Sequence, residues 1–164
     1  MSIAQEMEDL SEFRKYGWYT AFGEGWALYA ESLGYEIGFF KDPYQNFGHL
    51  TDEIMRAVRP VVDTGLHSMN WTRDQAIKYF EENTGNPLHD VEVEVDRYIV
   101  WPSQALGYKI GQMKIRELRS YAEKELGEKF DLRAFHDEVV ENGVLPLSVP
   151  ETILKDWIIK RKAA

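Results

Sequence analysis

The hydrophobic residues of this chain mostly recur three or four positions apart, which is the spacing of amphipathic helices. The pattern predicts helices over about residues 3–15, 18–40, 51–69 and 103–126. Gly127 follows the last of these and suits the position just after a helix. We therefore expect a mostly α multi-helix bundle that forms one helical domain over residues 1–164.

The remaining helices are predicted from the residues at their ends. Thr72 and Gln75 have the spacing of a capping box, which predicts a helix in "TRDQAIKYFEEN" that "TGNP" ends. Asp131 caps a helix that Gly143 ends, and a proline-initiated helix follows in "LPLSVPETILKDWIIKRK". The segment "HDVEVEVDRYIVW" fits a strand or a helix face, and a helix is favoured because no partner strand is evident.

Two glutamates on the second predicted helix, Glu24 and Glu31, lie seven residues apart among small and apolar residues. At about 100° per residue they fall within about 20° of each other, almost opposite a stripe of large apolar residues. Neither Lys nor Arg occurs on this helix, so we expect both sides to be covered and the carboxylates to be embedded. One interpretation is two structural glutamates that pair with arginines of other helices. The apolar stripe consists of Phe22, Trp26, Tyr29, Leu33, Ile37 and Phe40.

Charge and composition exclude several classes of protein. The 19 basic and 28 acidic residues give a formal net charge of -9, whereas nucleic acids and anionic membranes attract basic surfaces, so we expect neither as a partner. The absence of cysteine excludes disulfides, thiolate metal sites and cysteine nucleophiles. No apolar run reaches the roughly 18 residues that a membrane span needs.

Four segments carry a more specific signal: "EGWALYAE", "RAVRPVVDTGLH", "YIVWPSQALGYKIG" and "FDLRAFHDEVVENGVLPLSV". In this order they resemble the bacterial family catalogued as domain of unknown function 885, and the resemblance covers nearly all of the chain. That family looks like zinc metallopeptidases of the gluzincin type, which include angiotensin-converting enzyme, thimet oligopeptidase and the thermostable carboxypeptidases.

The resemblance implies a zinc-dependent peptidase that acts on a peptide substrate. In gluzincins one helix supplies two histidines and a general-base glutamate, and a following helix supplies a glutamate ligand with a second acidic residue two turns beyond. By this resemblance Glu24 is the metal ligand and Glu31 supports it. A catalytic zinc takes three protein ligands and keeps one position for a water that it acidifies, and carboxylates behind the ligands orient them.

The histidines of such a site are missing from this sequence. The family's helix of the form HExxPGHH would lie just before "SIAQEMEDL", and no HExxH-like motif occurs in the chain. We therefore interpret the chain as the C-terminal portion of a larger α-helical metallopeptidase-like parent. We expect it to bind no zinc tightly and to be inactive alone. We also expect homo-oligomers that form through apolar surface left exposed by the missing N-terminal helices.

The third predicted helix carries Arg56, Arg59, Asp63 and His67 on a stripe within about 80°. One interpretation is a solvated face with an Arg59–Asp63 pair. The other is a line of charges facing the substrate. There Arg59 or Arg56 binds a substrate carboxylate or pairs with Glu31, and Asp63 orients His67 to stabilise a tetrahedral oxyanion.

The segment "YIVWPSQALGYKIG" supplies the last candidates. By the resemblance, Tyr108 or else Tyr98 is the tyrosine that donates to the developing oxyanion, a task that suits a phenol because it stays protonated at neutral pH. Gln104 would line a pocket, and Gly107 and Gly111 permit another helix to approach closely. The alternative function is a non-catalytic helical interaction domain that kept the fold and lost the metal.

Three histidines receive no catalytic role from the sequence. His49 and His89 lie in turn-like stretches, and His136 is expected to be structural because no second ligand lies near it.

Overall fold

The computed structural model describes residues 2–163, and all regular secondary structure in that range is helical, which confirms the mostly α fold class. None of the helices in this range combines the length and the apolar character that crossing a membrane would require. The helices are α1 Ser2–Glu6, α2 Glu12–Tyr16, α3 Thr20–Glu36, α4 Pro43–Ser68, α5 Arg73–Asn83, α6 Leu88–Val100, α7 Leu106–Leu126, α8 Leu132–Val140 and α9 Ser148–Ala163, with a short 3-10 helix at Gly127–Lys129.

The chain divides into two compact units. The first unit contains the residues up to 29 and those from 110 onward, and the second contains residues 30–109. The divisions fall within α3 and α7.

The core of the first unit is built by the start of α3 together with α7, α8 and α9. A Cβ atom added to Gly111 would lie 1.8 Å from the carbonyl oxygen of Ala21 and 2.7 Å from the Cα atom of Gly25. The close helix approach predicted for Gly111 is therefore confirmed. The buried apolar side chains of this core are Phe22, Leu118, Ala122, Leu126, Phe135, Val139, Val144, Leu154 and Ile158.

The core of the second unit is built by α4, α5 and α6 with one residue of the turn before α7. These helices form because their apolar positions recur with helical spacing, so that each buries one face. The buried side chains are Val58, Val62, Ala76, Ile77, Phe80, Val91, Val95, Tyr98 and Ala105.

Several helix ends form as the sequence predicts. The Thr72–Gln75 capping box is present in both directions at the start of α5. The side chain of Asp131 accepts the backbone N–H of Ala134 at the start of α8. α8 ends at Val140, and Gly143 follows three residues later with a φ of 76°, a left-handed value that favours glycine and prevents the helix from continuing.

The first predicted helix, over 3–15, is wrong as one element, because residues 7–11 separate α1 from α2. Ala4 and Leu10 are both buried, and both lie within 3.5 Å of the position that a Cβ atom on Gly143 would occupy. Six residues apart on one continuous helix, they would point about 120° away from each other. The turn lets both side chains reach the same glycine.

The junction of the second and third predicted helices is also misplaced. α3 ends at Glu36 instead of residue 40, and Gly38 has a φ of 69°, so Ile37 lies beyond the helix with 76% of its surface exposed. α4 begins at Pro43, eight residues earlier than predicted, and Asp42 accepts the N–H of Tyr44. An Asp-Pro pair is a strong start signal, because aspartate caps the helix and proline suits its first position.

The first residues of α7 and α9 also differ from the predicted ones. α7 begins at Leu106 instead of residue 103, because Ser103 has a φ of 70°, which lies outside the helical region. α9 begins at Ser148, so Pro150 is its third residue and Pro146 belongs to the connection before it.

Candidate functional site

Two arginines and two tyrosines, with one glutamine, come together in the second unit. α4 supplies Arg56 and Arg59, α6 supplies Tyr98, the turn before α7 supplies Gln104, and α7 supplies Tyr108. We call these five residues the arginine–tyrosine cluster. All five were predicted as site residues from the sequence, and the tertiary structure brings them to one place.

Tyr108 is the centre of the arginine–tyrosine cluster. The guanidinium carbon of Arg59 lies 4.7 Å from the centroid of the Tyr108 ring, and that of Arg56 lies 4.9 Å from it. Arg59 also lies 5.4 Å from the Tyr98 ring. A guanidinium within about 6 Å of an aromatic face is attracted by the ring quadrupole. The two tyrosines therefore hold the cations where the charges would otherwise repel each other.

The guanidinium of Arg59 is buried, with only 2% of its side chain exposed. Its Nη2 donates to Oε1 of Gln104 at 3.1 Å, and Arg97 donates to the same oxygen at 3.1 Å. Glu94 balances the charge, because its Oε2 lies 4.0 Å from Nε of Arg59 while its Oε1 pairs with Arg97 at 3.2 Å. Nε of Arg59 is buried and makes no hydrogen bond with any residue that the structure describes.

Burial and a hydrogen bond to Glu94 together keep the phenol of Tyr98 protonated. The phenol of Tyr98 donates to Oε2 of Glu94 at 2.7 Å, and burial raises the pKa of that phenol above its usual range, with the nearby Arg59 opposing the shift. Tyr98 is therefore a neutral donor whose hydrogen is already used. The sequence analysis missed Glu94 and Arg97, although their three-residue spacing on a helix was readable once the strand alternative was set aside.

Arg56 differs from Arg59 in its surroundings. It is half-buried, its Nη1 lies 3.0 Å from Sδ of Met55, and its guanidinium rests on Tyr108. Within residues 2–163 it forms no ion pair with an aspartate or glutamate. A partly accessible guanidinium without a carboxylate can take an anion from outside the chain.

Asp63 and His67 do not pair as the sequence predicted. The buried carboxylate of Asp63 accepts the N–H of Ser103 with both oxygens, and the exposed His67 donates from Nε2 to the carbonyl oxygen of Tyr98 at 2.9 Å. The solvated-face interpretation of this stripe is also wrong, because Arg59 and Asp63 are each only 2% exposed.

Comparisons with known proteins place this chain in a family. Residues 1–153 match the family model described as "Bacterial protein of unknown function (DUF885)". The chain belongs to the DUF885 family. No functionally curated protein matches it.

One solved structure is similar to this DUF885 chain over most of its length. It is described as "the putative lipoprotein from Colwellia psychrerythraea", with 49% sequence identity and a TM-score of 0.88. The similarity covers 90% of this chain and 26% of the other, so this chain spans about a quarter of that protein's length.

Glu31 has a partner that the sequence analysis passed over. Its Oε1 accepts Nδ1–H of His49 at 2.6 Å, and 41% of the Glu31 side chain is exposed. His49 is buried, with its ring stacked on Phe40 at 4.9 Å and edge-on to Tyr35 at 5.0 Å. The predicted pairing of Glu31 with an arginine is therefore wrong. His49 was overlooked because the early start of α4 was not recognised.

Glu24, the predicted metal ligand, lies half-buried on α3 in the first unit. The expectation that both sides of α3 are covered is wrong in part. Ala27 and Tyr35 lie on the same face of the helix as Glu24 and Glu31, and both are exposed. Among the described residues no three His, Asp or Glu side chains are grouped as metal ligands would be. The side chains that the structure describes therefore do not complete a zinc ligand set by themselves.

His136 lies in an aromatic setting in the first unit. Its Nε2 shares a hydrogen bond of 2.8 Å with the hydroxyl of Tyr29, and its ring packs edge-on to Trp26 and Tyr29. Arg119 donates to the same hydroxyl at 3.3 Å. This arrangement is that of a half-buried histidine held by aromatic packing and a hydrogen bond.

Proposed function

We propose that this chain is the substrate-recognition portion of a zinc-dependent peptidase, in which Arg56 binds a carboxylate of the peptide. The observation that carries the proposal is the setting of Arg56: it is partly accessible, stacked on Tyr108, and without a carboxylate partner in residues 2–163. The planar guanidinium can donate two parallel hydrogen bonds to a carboxylate, which gives both affinity and orientation.

The other members of the arginine–tyrosine cluster position Arg56 in this proposal. Arg59 is buried beside Glu94 and also packs against the ring of Tyr108. The amide oxygen of Gln104 already accepts hydrogen bonds from Arg59 and Arg97, so Gln104 stabilises the cluster instead of contacting the substrate. The predicted catalytic role of Tyr98 is reassigned for the same reason, because its phenol is buried and donates to Glu94. Nε2–H of His67 is likewise already donated to the carbonyl oxygen of Tyr98, so the role of donor to a developing oxyanion falls to Tyr108 in this proposal.

The zinc portion of the proposal rests on the resemblance to gluzincins. Glu24 would contribute one carboxylate ligand, and the two histidines and the general base would come from residues outside these 164. Because the described residues do not complete a ligand set, the proposal assigns the chain no step at the metal. Glu31 would support the site only indirectly, through its hydrogen bond with His49.

A binding experiment tests the carboxylate site without requiring hydrolysis. The chain is titrated with a tripeptide that has a free C-terminal carboxylate and with the same tripeptide as its C-terminal amide. A charge-assisted hydrogen bond contributes about 1.5–3 kcal/mol, so we expect the acid to bind at least about tenfold more tightly. Equal binding of the acid and the amide would refute the proposal.

A pair of variants assigns the preference to a residue. Arg56→Gln is expected to remove the preference for the acid. Arg73→Gln, at an exposed arginine that pairs with Asp96 at 2.6 Å, serves as the matched control and is expected to keep it. Loss of the preference in both variants would indicate a general charge effect.

The competing function is a non-catalytic helical interaction domain. A longer family member that carries an upstream His-Glu helix and cleaves peptides only with zinc would favour the peptidase. A longer member that has no such helix and binds the acid and the amide equally would favour the interaction domain. For the 164-residue chain alone we expect no hydrolysis with or without added zinc.

A further inference from the structure

A groove with an apolar floor lies along the first half of α4 in the second unit. The floor is formed by four apolar residues of α4 at successive spacings of three, four and three residues: Phe47, Leu50, Ile54 and Ala57. The groove is also lined by residues 82–85, which lie at and just beyond the C-terminal end of α5. The volume of the groove is about 810 Å³. We call it the α4 groove.

The floor of the α4 groove is exposed in the structure. Phe47 has 70% of its surface exposed, Leu50 has 52% and Ile54 has 47%. Apolar residues that alternate three and four positions apart form the seam by which one helix packs against another. Large apolar side chains grouped on a surface mark an interaction site. The spacing of this stripe therefore fits a helical occupant.

The rim of the α4 groove is acidic. Among the described residues that line it there are two glutamates, Glu53 and Glu82, and no Lys or Arg. Glu53 pairs with Lys109, whereas Glu82 is 61% exposed and has a long i,i+4 contact of 3.7 Å with Lys78. The C-terminal end of α5 adds the partial negative charge of a helix terminus. Across residues 30–109, 13 acidic and seven basic residues give a net charge of -6.

We propose that the α4 groove binds a basic amphipathic helix of a partner protein. The seam from Phe47 to Ala57 is about 15 Å long at 1.5 Å per residue, so it would hold about three turns of the occupant. Apolar side chains of the occupant fill the floor, and lysines or arginines meet the rim. Charge argues against a second copy, because two faces with this acidic rim repel each other. This inference does not depend on the carboxylate site.

The test uses a labelled 14-residue peptide with leucine at heptad positions a and d and lysine elsewhere, and it measures fluorescence anisotropy on titration with the full chain. Two reference peptides accompany it: one with glutamate in place of lysine, and one with the same leucines and lysines in scrambled order. We expect the ordered basic peptide to bind at least about tenfold more tightly than either reference peptide. Binding is also expected to weaken as salt rises.

Variants of the chain then locate the binding. Leu50→Ser and Ile54→Asp change exposed positions of the floor and are each expected to weaken binding about tenfold or more. Val100→Asp, at a position that is 80% exposed on α6 and outside the groove, is the matched control and is expected to leave binding unchanged. Circular dichroism of each variant verifies that its helices are retained.

Three results would overturn the proposal. The first is binding of the scrambled peptide as tightly as the ordered one. The second is unchanged binding by both floor variants. The third is a dimer, detected by light scattering, that Ile54→Asp dissociates, because a second copy of the chain would then be the occupant.

Discussion

The carboxylate of Asp63 on α4 accepts the backbone N–H of Ser103 with both oxygens, at 3.2 and 3.0 Å. Ser103 has a φ of 70°, a left-handed conformation that costs a non-glycine residue about 1–2 kcal/mol. The contact thus holds a strained turn against α4. That turn carries Gln104, which accepts from Arg59, so Asp63 supports the arginine–tyrosine cluster through the backbone.

The first prediction concerns this support. Asp63→Asn keeps the shape of the side chain but removes the charge, so we expect unfolding to require about 1–3 kcal/mol less free energy. Chemical denaturation at pH 7 measures the change. Asp52→Asn, at an exposed position of the same helix, is the control and is expected to stay within about 0.5 kcal/mol of the parent. Similar effects of both substitutions would mean that the Asp63–Ser103 contact contributes nothing specific.

The second prediction compares one substitution at two helical glycines. Gly111→Ala is expected to destabilise the chain by about 3 kcal/mol or more, because the new methyl group meets the backbone oxygen of Ala21. Gly48→Ala lies in α4 with nothing within 4 Å of its Cβ position, so it is expected to stabilise by up to about 1 kcal/mol. Thermal or urea unfolding gives both values. A stable Gly111→Ala variant would contradict the close approach of the two backbones.

The third prediction concerns the buried phenol of Tyr98. Tyr98→Phe removes the donor to Glu94, and we expect a loss of about 1–2 kcal/mol at pH 7. Tyr44→Phe, at a position that is 85% exposed, is expected to change nothing.

The stability of the Tyr98→Phe variant is also expected to depend differently on pH. Because burial raises the pKa of Tyr98 in the folded chain, the stability that its neutral phenol contributes is present below pH 10 and is lost as the pH rises above it. The parent is therefore expected to lose more stability above pH 10 than Tyr98→Phe does. Parallel curves of the two proteins above pH 10 would argue against a buried, neutral phenol.

The fourth prediction concerns an ion-paired carboxylate in the first unit. Glu151 accepts from Lys114 at 2.8 Å and from Lys155 at 2.6 Å, and these hydrogen bonds lower the pKa of Glu151 to about 2. A carboxyl group whose pKa is lowered on folding stabilises above its unfolded pKa, and this stabilisation is lost as the pH falls towards the folded value. The window here is about pH 4.5 to 2.

The test compares the unfolding free energy of the parent with that of Glu151→Gln at pH 7, 4.5 and 2. We expect the parent to be the more stable at pH 7, with a difference that shrinks between pH 4.5 and pH 2. Glu117→Gln, which removes a neighbouring exposed carboxylate that also pairs with Lys114, is expected to show a smaller difference. A difference that is constant over this range would show that the effect of Glu151 is not ionic.

The sequence by itself determined the features that depend on a few neighbouring residues. The capping box at Thr72, the cap at Asp131 and the stop at Gly143 follow from hydrogen bonds and backbone angles within a few positions. Helical periodicity also placed Arg56 and Arg59 on one face of α4, because the angle between side chains depends only on their separation along a helix.

Only the tertiary structure decided which parts of each face are buried and which groups compensate the buried charges. Asp63 and His67 share a stripe, yet one is buried on the N–H of Ser103 and the other is exposed. Glu94 balances Arg59 from a different helix, 35 residues away in the chain. A buried charge is stable only where distant groups supply its hydrogen bonds, and those contacts arise from packing between helices, which no local pattern encodes.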